Sequence, residues 1–317
     1  MKRTHGGVTV ILSCGLVAAA IALIPAILRA QGQQFQFIVA AADANGMPIT
    51  DLKTDEVVMS ENGMPAKILK VEPYRVPVKL TIVVDNSAGS RDALSHYRSG
   101  LTGLVEALPT DVEVTLISIS PQPRNVVRPT TDREQILSGI NGFAPEDESP
   151  RFTDALVEYS RRLERDLQDK KAADHLPVMV SISTIANDIW SYEAPEVEKA
   201  IGFLAARKAK VMVAMVATRT GDVSQVADLN TNRQALIAIP ATKATGGHYE
   251  SMAISTRLTT LLPEWGKEIA ALHAKHANQF RVTVERPSGA SGQLQNPRIE
   301  LTRPGLTGAV SVDGFPG

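Results

Sequence analysis

Residues 78–90, VKLTIVVDNSAGS, decide the fold of this chain. The first seven form a β-rich, mostly apolar run, typical of a strand in a parallel sheet that is covered on both faces. Asp85 follows at the carboxyl end of this strand, and Ser87 and Ser90 come just after it. In open α/β sheets, ligands bind in the crevice beyond the carboxyl ends of the strands. The stretch therefore predicts an α/β fold with a site at Asp85, Ser87 and Ser90.

Strands and helices alternate along the chain after this stretch. Further strands are predicted at 112–118, 125–127, 176–184 and 210–216. Apolar residues at helical spacing predict helices at 91–108, 131–140, 152–169, 195–209 and 255–276. Such alternation builds βα units around a parallel sheet. We therefore expect a doubly wound, mainly parallel, Rossmann-like sheet formed by residues 78–276.

The segments on either side of this region have a β pattern instead. Residues 35–75 contain alternating apolar residues and the turn signals Asn45-Gly46 and Asn62-Gly63. Residues 278–314 alternate in the same way. Each segment alone is too small to bury a core. We therefore expect 31–77 and 277–317 to pack together as a small flanking β domain.

Composition excludes some classes of function. The chain has 317 residues, a net charge of −1, 44% hydrophobic residues and 21% charged residues. These proportions are ordinary for a globular protein, and the Lys and Arg residues are scattered rather than clustered. The composition argues against disorder and against nucleic-acid binding.

The amino terminus has the pattern of an export signal. Lys2 and Arg3 precede a nearly uninterrupted apolar run at 8–28, and Leu28-Arg29-Ala30 before Gln31 loosely resembles a small-residue cleavage site. We interpret residues 1–30 as a signal peptide, which predicts a periplasmic or secreted protein. The run is also long enough to span a bilayer, so an inner-membrane anchor at 8–28 is the alternative. The only cysteine, Cys14, lies inside the run, so the mature chain would have no disulfide.

Several short motifs together resemble the von Willebrand factor type A domain. They are Asp85-Asn86-Ser87-Ala88-Gly89, Thr153-Asp154-Ala155-Leu156, Thr184-Ile185-Ala186-Asn187-Asp188 and Thr245-Gly246-Gly247. The β segments at both ends are similar to those of the bacterial branch of this family. The resemblance covers nearly all of the mature chain, and the order of its parts is more specific than any single motif.

The resemblance implies a degenerate metal-ion-dependent adhesion site. Such sites use oxygen ligands suited to Mg²⁺ or Ca²⁺, here Asp85, Ser87 and Thr153, with Asp188 at an outer position. Two positions depart from the family pattern. Gly89 replaces a serine and offers no hydroxyl, and Ile185 stands where the second aspartate belongs. No cofactor is therefore certain, and we expect weak or absent cation binding.

The same residues also have structural interpretations. Ser87, Ser90 and Thr153 are residue types that commonly cap helices, and in that case binding would occur elsewhere on the loops. The residues expected to contact a partner are Asn86, Gly89, Ser90 and Asn187. His273 and His276 lie three apart on the last helix without a further ligand, which favours a half-exposed helix face over a zinc site.

The resemblance implies an exported protein that binds an unknown protein or other ligand through the loops at the carboxyl ends of its strands. The alternative is a cation-independent scaffold or assembly component of the cell envelope. No nucleophile motif or recognisable acid–base pair is present, so we expect no enzyme, and a hydrolase is a remote third hypothesis.

The first prediction concerns export. Intact-mass spectrometry of the protein made in a host that processes its signal should give an amino terminus near Gln31, because the residues before it resemble a cleavage site. An intact Met1 in the membrane fraction would favour the anchor instead.

Overall fold

The computed structural model describes residues 33–168, 174–217, 233–290 and 292–311. The strands are β1 (Gln34–Ala42), β2 (Val57–Glu61), β3 (Met64–Tyr74), β4 (Val78–Val84), β5 (Glu113–Ser118), β6 (Arg124–Thr130), β7 (Leu176–Thr184), β8 (Lys210–Val216), β9 (Tyr249–Met252), β10 (Gln279–Glu285), β11 (Pro297–Leu301) and β12 (Thr307–Ser311). The helices are α1 (Leu94–Glu106), α2 (Arg133–Gly142), α3 (Phe152–Gln168), α4 (Ala194–Ala206), α5 (Arg233–Ala244) and α6 (Leu258–Ala277). The predicted signal segment 1–30 lies outside the described residues, and no helix among them is long and apolar enough to cross a bilayer.

The central sheet has the strand order β6-β5-β4-β7-β8-β9. All neighbours are parallel except the edge strand β6, which pairs antiparallel with β5. The predicted central strand β4 lies between β5 and β7, and all nine residues of β7 are buried. Strands buried on both faces need such continuous apolar runs. The mainly parallel sheet expected from the sequence is present.

Helices cover both faces of this sheet and form two separate cores. Leu80 and Ile82 of β4 belong to the core that the sheet forms with α1, α2 and α6. Val83 points to the opposite face and belongs to the core with α3, α4 and α5. The period-two alternation of a strand sends neighbouring side chains to opposite faces, which is why one short run can contribute to both cores.

A second, antiparallel sheet contains strands from both sides of the α/β region. Its order is β11-β2-β3-β10-β1-β12, and its core includes Phe37, Val39 and Val282. The buried Arg286 guanidinium forms two hydrogen bonds with the buried Glu61 carboxylate, joining the chain after β10 to β2. Neither flanking segment could complete this sheet alone.

The end of α6 contacts the chain segments that connect the two sheets. The backbone N–H of Val78, at the start of β4, donates to His273 Nδ1 (3.2 Å), and the N–H of Val76 donates to the carbonyl of His276 (2.9 Å). The half-exposed position expected for these histidines is therefore wrong, because both are about 95% buried. Their helix packs against the crossover between the sheets, which spacing along one helix cannot show.

Glycines allow α1 and α6 to pack closely. A Cβ added at Gly266 would lie 2.6 Å from the carbonyl oxygen of Leu104, and one at Gly100 would lie 2.6 Å from that of Leu258. Real side chains do not approach backbone this closely, so each helix depends on a glycine where it meets the other.

The second prediction tests this packing. Gly266→Ala should lower the free energy of unfolding by about 1–3 kcal/mol, because the helices must separate to fit a methyl group. Gly202→Ala in α4, where a Cβ would contact nothing within 4 Å, is the matched control and should raise stability by up to about 1 kcal/mol. Urea denaturation followed by circular dichroism measures both. Equal effects of the two changes would contradict the packing argument.

Candidate functional site

Asp85 lies at the carboxyl end of β4 and is completely buried. Its Oδ1 accepts from the backbone N–H of Ser87 (2.7 Å). Its Oδ2 accepts from the backbone N–H of Thr184 (2.8 Å), from the Thr184 hydroxyl and from the Ser183 hydroxyl (3.4 Å). The carboxylate therefore joins the ends of two neighbouring strands, and both of its oxygens are already occupied by donors of the chain.

Ser87 and Ser90 lie in the short 3-10 turn region that leads from Asp85 to α1. Ser87 occupies the capping position of this turn, but its side chain makes no capping hydrogen bond. Its hydroxyl is buried and has no partner among the described residues, whereas the Ser90 hydroxyl donates to the Ser87 carbonyl (2.8 Å). Side-chain capping by Ser87 is therefore wrong, and its hydroxyl is a free polar group next to Asp85.

Thr153 and Asp188 form a second buried pair. Asp188 accepts from the Thr153 hydroxyl (2.5 Å) and from the backbone N–H groups of Phe152 (2.7 Å) and Thr153 (3.1 Å), at the first turn of α3. Asp188 thus supplies from another loop the cap that Thr153 was thought to provide. Burial raises the pKa of Asp188 to about 6, although the hydrogen bonds from Thr153 and Phe152 partly oppose this rise.

Ile185 occupies a core position. It is buried, its backbone N–H donates to the Val216 carbonyl (2.8 Å), and its side chain belongs to the core that includes Phe152 and Val83. The Ile185 side chain packs in the core at the position where the family pattern has a carboxylate. A carboxylate placed there would have to enter an apolar cluster.

The donor set does not fit the complete cation site of the family. Asp85 Oδ2 accepts three hydrogen bonds and Oδ1 accepts one, the Thr153 hydroxyl donates to Asp188, Gly89 has no hydroxyl, and Ile185 is apolar. One partly free carboxylate oxygen and the Ser87 hydroxyl are too few ligands to compensate a divalent ion for its lost water. Within the described ranges, no three His, Cys, Asp or Glu side chains are grouped closely enough to hold a metal ion.

The four residues expected to contact a partner differ in their accessibility. Gly89 is partly exposed and Asn187 is exposed. Ser90 and Asn86 are buried, so the expectation that they lie on the surface is wrong. The Asn86 side chain accepts from the N–H of Ser120 (2.9 Å) and donates to the Ala144 carbonyl (3.2 Å). It is a structural bridge between loops.

The acidic loop at 143–151 lies over this end of the sheet. The Glu148 carbonyl accepts from the N–H of Ala88 (3.1 Å), directly beside Ser87. Two ion pairs, Arg91 with Asp147 and Arg124 with Glu146, hold the loop from its outer side. The loop explains why Asp85 and Ser87 have almost no exposed surface.

Sequence reasoning missed several residues of this region. Ser183 and Thr184 bind Asp85, and the buried Gln234 donates to the Ser183 hydroxyl (3.2 Å) and accepts from the N–H of Ala186 (3.2 Å). Polar residues at the end of an apolar strand were a usable signal for the first two. Gln234 lies in α5, and no local pattern relates it to a loop that precedes it by some fifty residues.

The third prediction follows from Asp188. Its pKa lies above the ordinary 3.8, so the folded state binds more protons between pH 4 and 6, and the free energy of unfolding should fall as pH rises through this window. The Asp188 contribution to this fall should be about 3 kcal/mol. Urea denaturation between pH 4 and 7 should show a shallower fall in Asp188→Asn than in the wild type. Parallel curves for the two proteins would contradict it.

Comparisons with known proteins agree with the motifs. Residues 80–183 match the family model of the von Willebrand factor type A domain. No curated protein matches the chain. Similar solved structures include the conserved hypothetical protein BatB from Bacteroides thetaiotaomicron (14% identity, 61% of this chain, 98% of that chain, TM-score 0.45). A von Willebrand factor type A protein from Catenulispora acidiphila is 11% identical, with 88% of this chain and 72% of that chain covered and a TM-score of 0.46.

An aerotolerance-related membrane protein from Bacteroides fragilis is 12% identical (60% of this chain, 99% of that chain, TM-score 0.41). The family match includes most of β4, the Asp85 loop, Thr153 and most of β7. Residues 80–183 of this chain therefore belong to the von Willebrand factor type A domain family.

Proposed function

We propose that this protein is an exported, non-enzymatic binding protein whose von Willebrand factor type A domain holds a protein partner without a divalent cation. The proposal places the partner on the exposed loops at the carboxyl ends of the strands. Domains of this family are generally interaction modules, and the signal-like segment at 1–30 supports export. A fold alone does not assign a function, which depends on the residues of the site.

The observation that supports it most is the state of Asp85. A carboxylate that binds a cation must direct free oxygen lone pairs to it, but Oδ2 of Asp85 accepts three hydrogen bonds from Thr184 and Ser183, and Oδ1 accepts one from Ser87. These bonds give a buried carboxylate the partners it needs. The site is thus complete as a structural element, and a partner would use the surface around it.

The Ser87 hydroxyl supports a non-enzymatic role. A serine nucleophile requires an adjacent base within hydrogen-bond reach. Among the described residues, the Ser87 hydroxyl has no histidine, carboxylate or other partner. The buried hydroxyl therefore lacks the activation that acyl transfer would require.

The fourth prediction concerns the cation. Isothermal calorimetry of the full chain with Mg²⁺ should give weak or no binding, since the second carboxylate position is occupied by the buried Ile185. Asp85→Asn, which keeps the shape of the side chain, should give the same weak or absent heat. Tight Mg²⁺ binding that Asp85→Asn abolishes would show that the residue is a ligand and would overturn the cation-independent proposal.

The fifth prediction tests partner binding. The tagged full chain should retain a partner from envelope extract equally with and without EDTA, because no bound cation is needed. Asn187→Glu, which places a bulkier, negatively charged side chain at an exposed position at the carboxyl end of the sheet, should lower retention about tenfold. Glu106→Arg, an exposed change at the far end of α1, is the control and should retain the partner. Loss of the partner in EDTA, or equal retention by both variants, would contradict the proposal.

A further inference from the structure

An exposed apolar surface lies beside Asn187 at the carboxyl end of the sheet. It is formed by Ile189, Trp190, Leu236 and Ile239, whose exposed fractions are 38%, 41%, 53% and 36%, together with Arg233. We call it the Trp190 surface. Single exposed apolar residues are ordinary, but neighbouring ones bordered by polar groups mark interaction sites.

Arg233 joins the two halves of this surface. Its guanidinium carbon lies 3.7 Å from the centre of the Trp190 ring, so the loop after β7 contacts the first turn of α5. Leu236 and Ile239 follow Arg233 at intervals of three residues and therefore lie on the same face of α5. The aromatic ring, the guanidinium and the two aliphatic side chains thus form one continuous strip.

Arg233 differs from two other arginines that stack on aromatic rings, Arg161 and Arg98. Arg161 stacks on Tyr192 but is also paired with Glu196 (2.9 Å), and Arg98 stacks on Phe143 but donates to a backbone carbonyl (2.8 Å). Within the part of the chain that the structure describes, Arg233 has no ion pair and no hydrogen-bond acceptor, and its Nε is buried without a partner. It is a positioned cation with unused donors.

We propose that the Trp190 surface binds an extended segment of a partner protein that places an Asp or Glu carboxylate against Arg233 and apolar side chains over Trp190 and Leu236. This proposal rests on the proposed function and names the chemistry of the partner. It gives the domain an acidic-ligand site that depends on an arginine instead of a cation.

Charge and shape both favour this occupant. The planar guanidinium presents paired donors that match the two oxygens of a carboxylate, and stacking on Trp190 already fixes its plane. Because the ring excludes water from one side, the remaining donors interact more strongly with an anion than those of a freely hydrated arginine. Trp and Arg are also the residue types that most often dominate the energetics of protein interfaces.

Peptide selection tests the proposal directly. Random 12-residue peptides displayed on phage would be selected against the full chain, and the recovered peptides synthesised with their acidic residues intact or replaced by Asn and Gln. We expect recovered sequences with Asp or Glu next to Leu, Ile or Phe. The amide versions should bind at least about tenfold more weakly, and binding of the acidic versions should weaken with added salt.

The two tryptophans provide the readout of position. In protein labelled with 5-fluorotryptophan, the ¹⁹F signal of the exposed Trp190 should shift with peptide, whereas that of the buried Trp265 should not. Arg233→Glu should weaken binding at least about tenfold, and Arg233→Lys should retain part of it. Arg161→Glu is the matched control, because this arginine is also stacked on an aromatic ring but is already paired, and it should leave binding unchanged.

Three results would overturn the proposal: failure to recover any binding peptide, equal binding of acidic and amide peptides, or equal binding by wild type and Arg233→Glu. A much lower melting temperature in both Arg233→Glu and Trp190→Ala would show that the chain itself packs on this surface. If the wild type self-associates in a concentration-dependent way and Arg233→Glu does not, a second copy occupies the surface. Either result also overturns the proposal.

If Arg233→Glu retains the envelope partner as well as the wild type does, the Trp190 surface is not the binding site of that partner, while the proposed function stands. If neither the wild type nor any variant retains a partner, the proposed function fails.

Discussion

The buried carboxylate of Asp85 is the interaction on which this end of the molecule depends. Asp85 terminates the central strand β4, and its two oxygens bind Ser87 on its own chain segment and Thr184 on the neighbouring β7. Burial of a charge is costly unless charge-assisted hydrogen bonds replace its hydration, and here the donors come from β7 and from the turn that follows β4. The same bonds that make burial tolerable fix the positions of the loops.

The buried, hydrogen-bonded state of Asp85 limits which residues at this end of the sheet can bind a partner. The loop at 143–151 closes over Ser87, and Asp188 is used to cap α3 from a distant loop. The residue types associated with cation binding in this family are therefore partly retained, but they act here as structural connectors. The side chains that a partner can reach lie further out, at Asn187 and on the Trp190 surface with Arg233. The proposed function and the proposed acidic partner both use these exposed groups.

The flanking sheet depends on a different kind of connection. Its strands come from both sides of the α/β region, and the buried pair of Glu61 and Arg286 joins segments that are far apart in sequence. The contacts of His273 and His276 place the end of the last helix against the segment that leads from β3 to β4. The two sheets are thus connected by buried polar contacts as well as by the chain.

The sequence by itself determined the architecture, because hydrophobic periodicity reports directly on which face of a strand or helix is buried. The apolar run of β4, the alternation of strands and helices and the paired β segments all appear in the structure. The sequence also placed Asp85 and Asp188 at the correct end of the sheet and identified Ile185 as the departure from the family pattern.

Only the tertiary structure decided what these residues do. The hydrogen bond between Ser183 and Gln234, the bond between Ser120 and Asn86, and the stacking of Arg233 on Trp190 each join residues from different elements of the fold. Such contacts depend on how the βα units meet in space, and no local pattern encodes that distance.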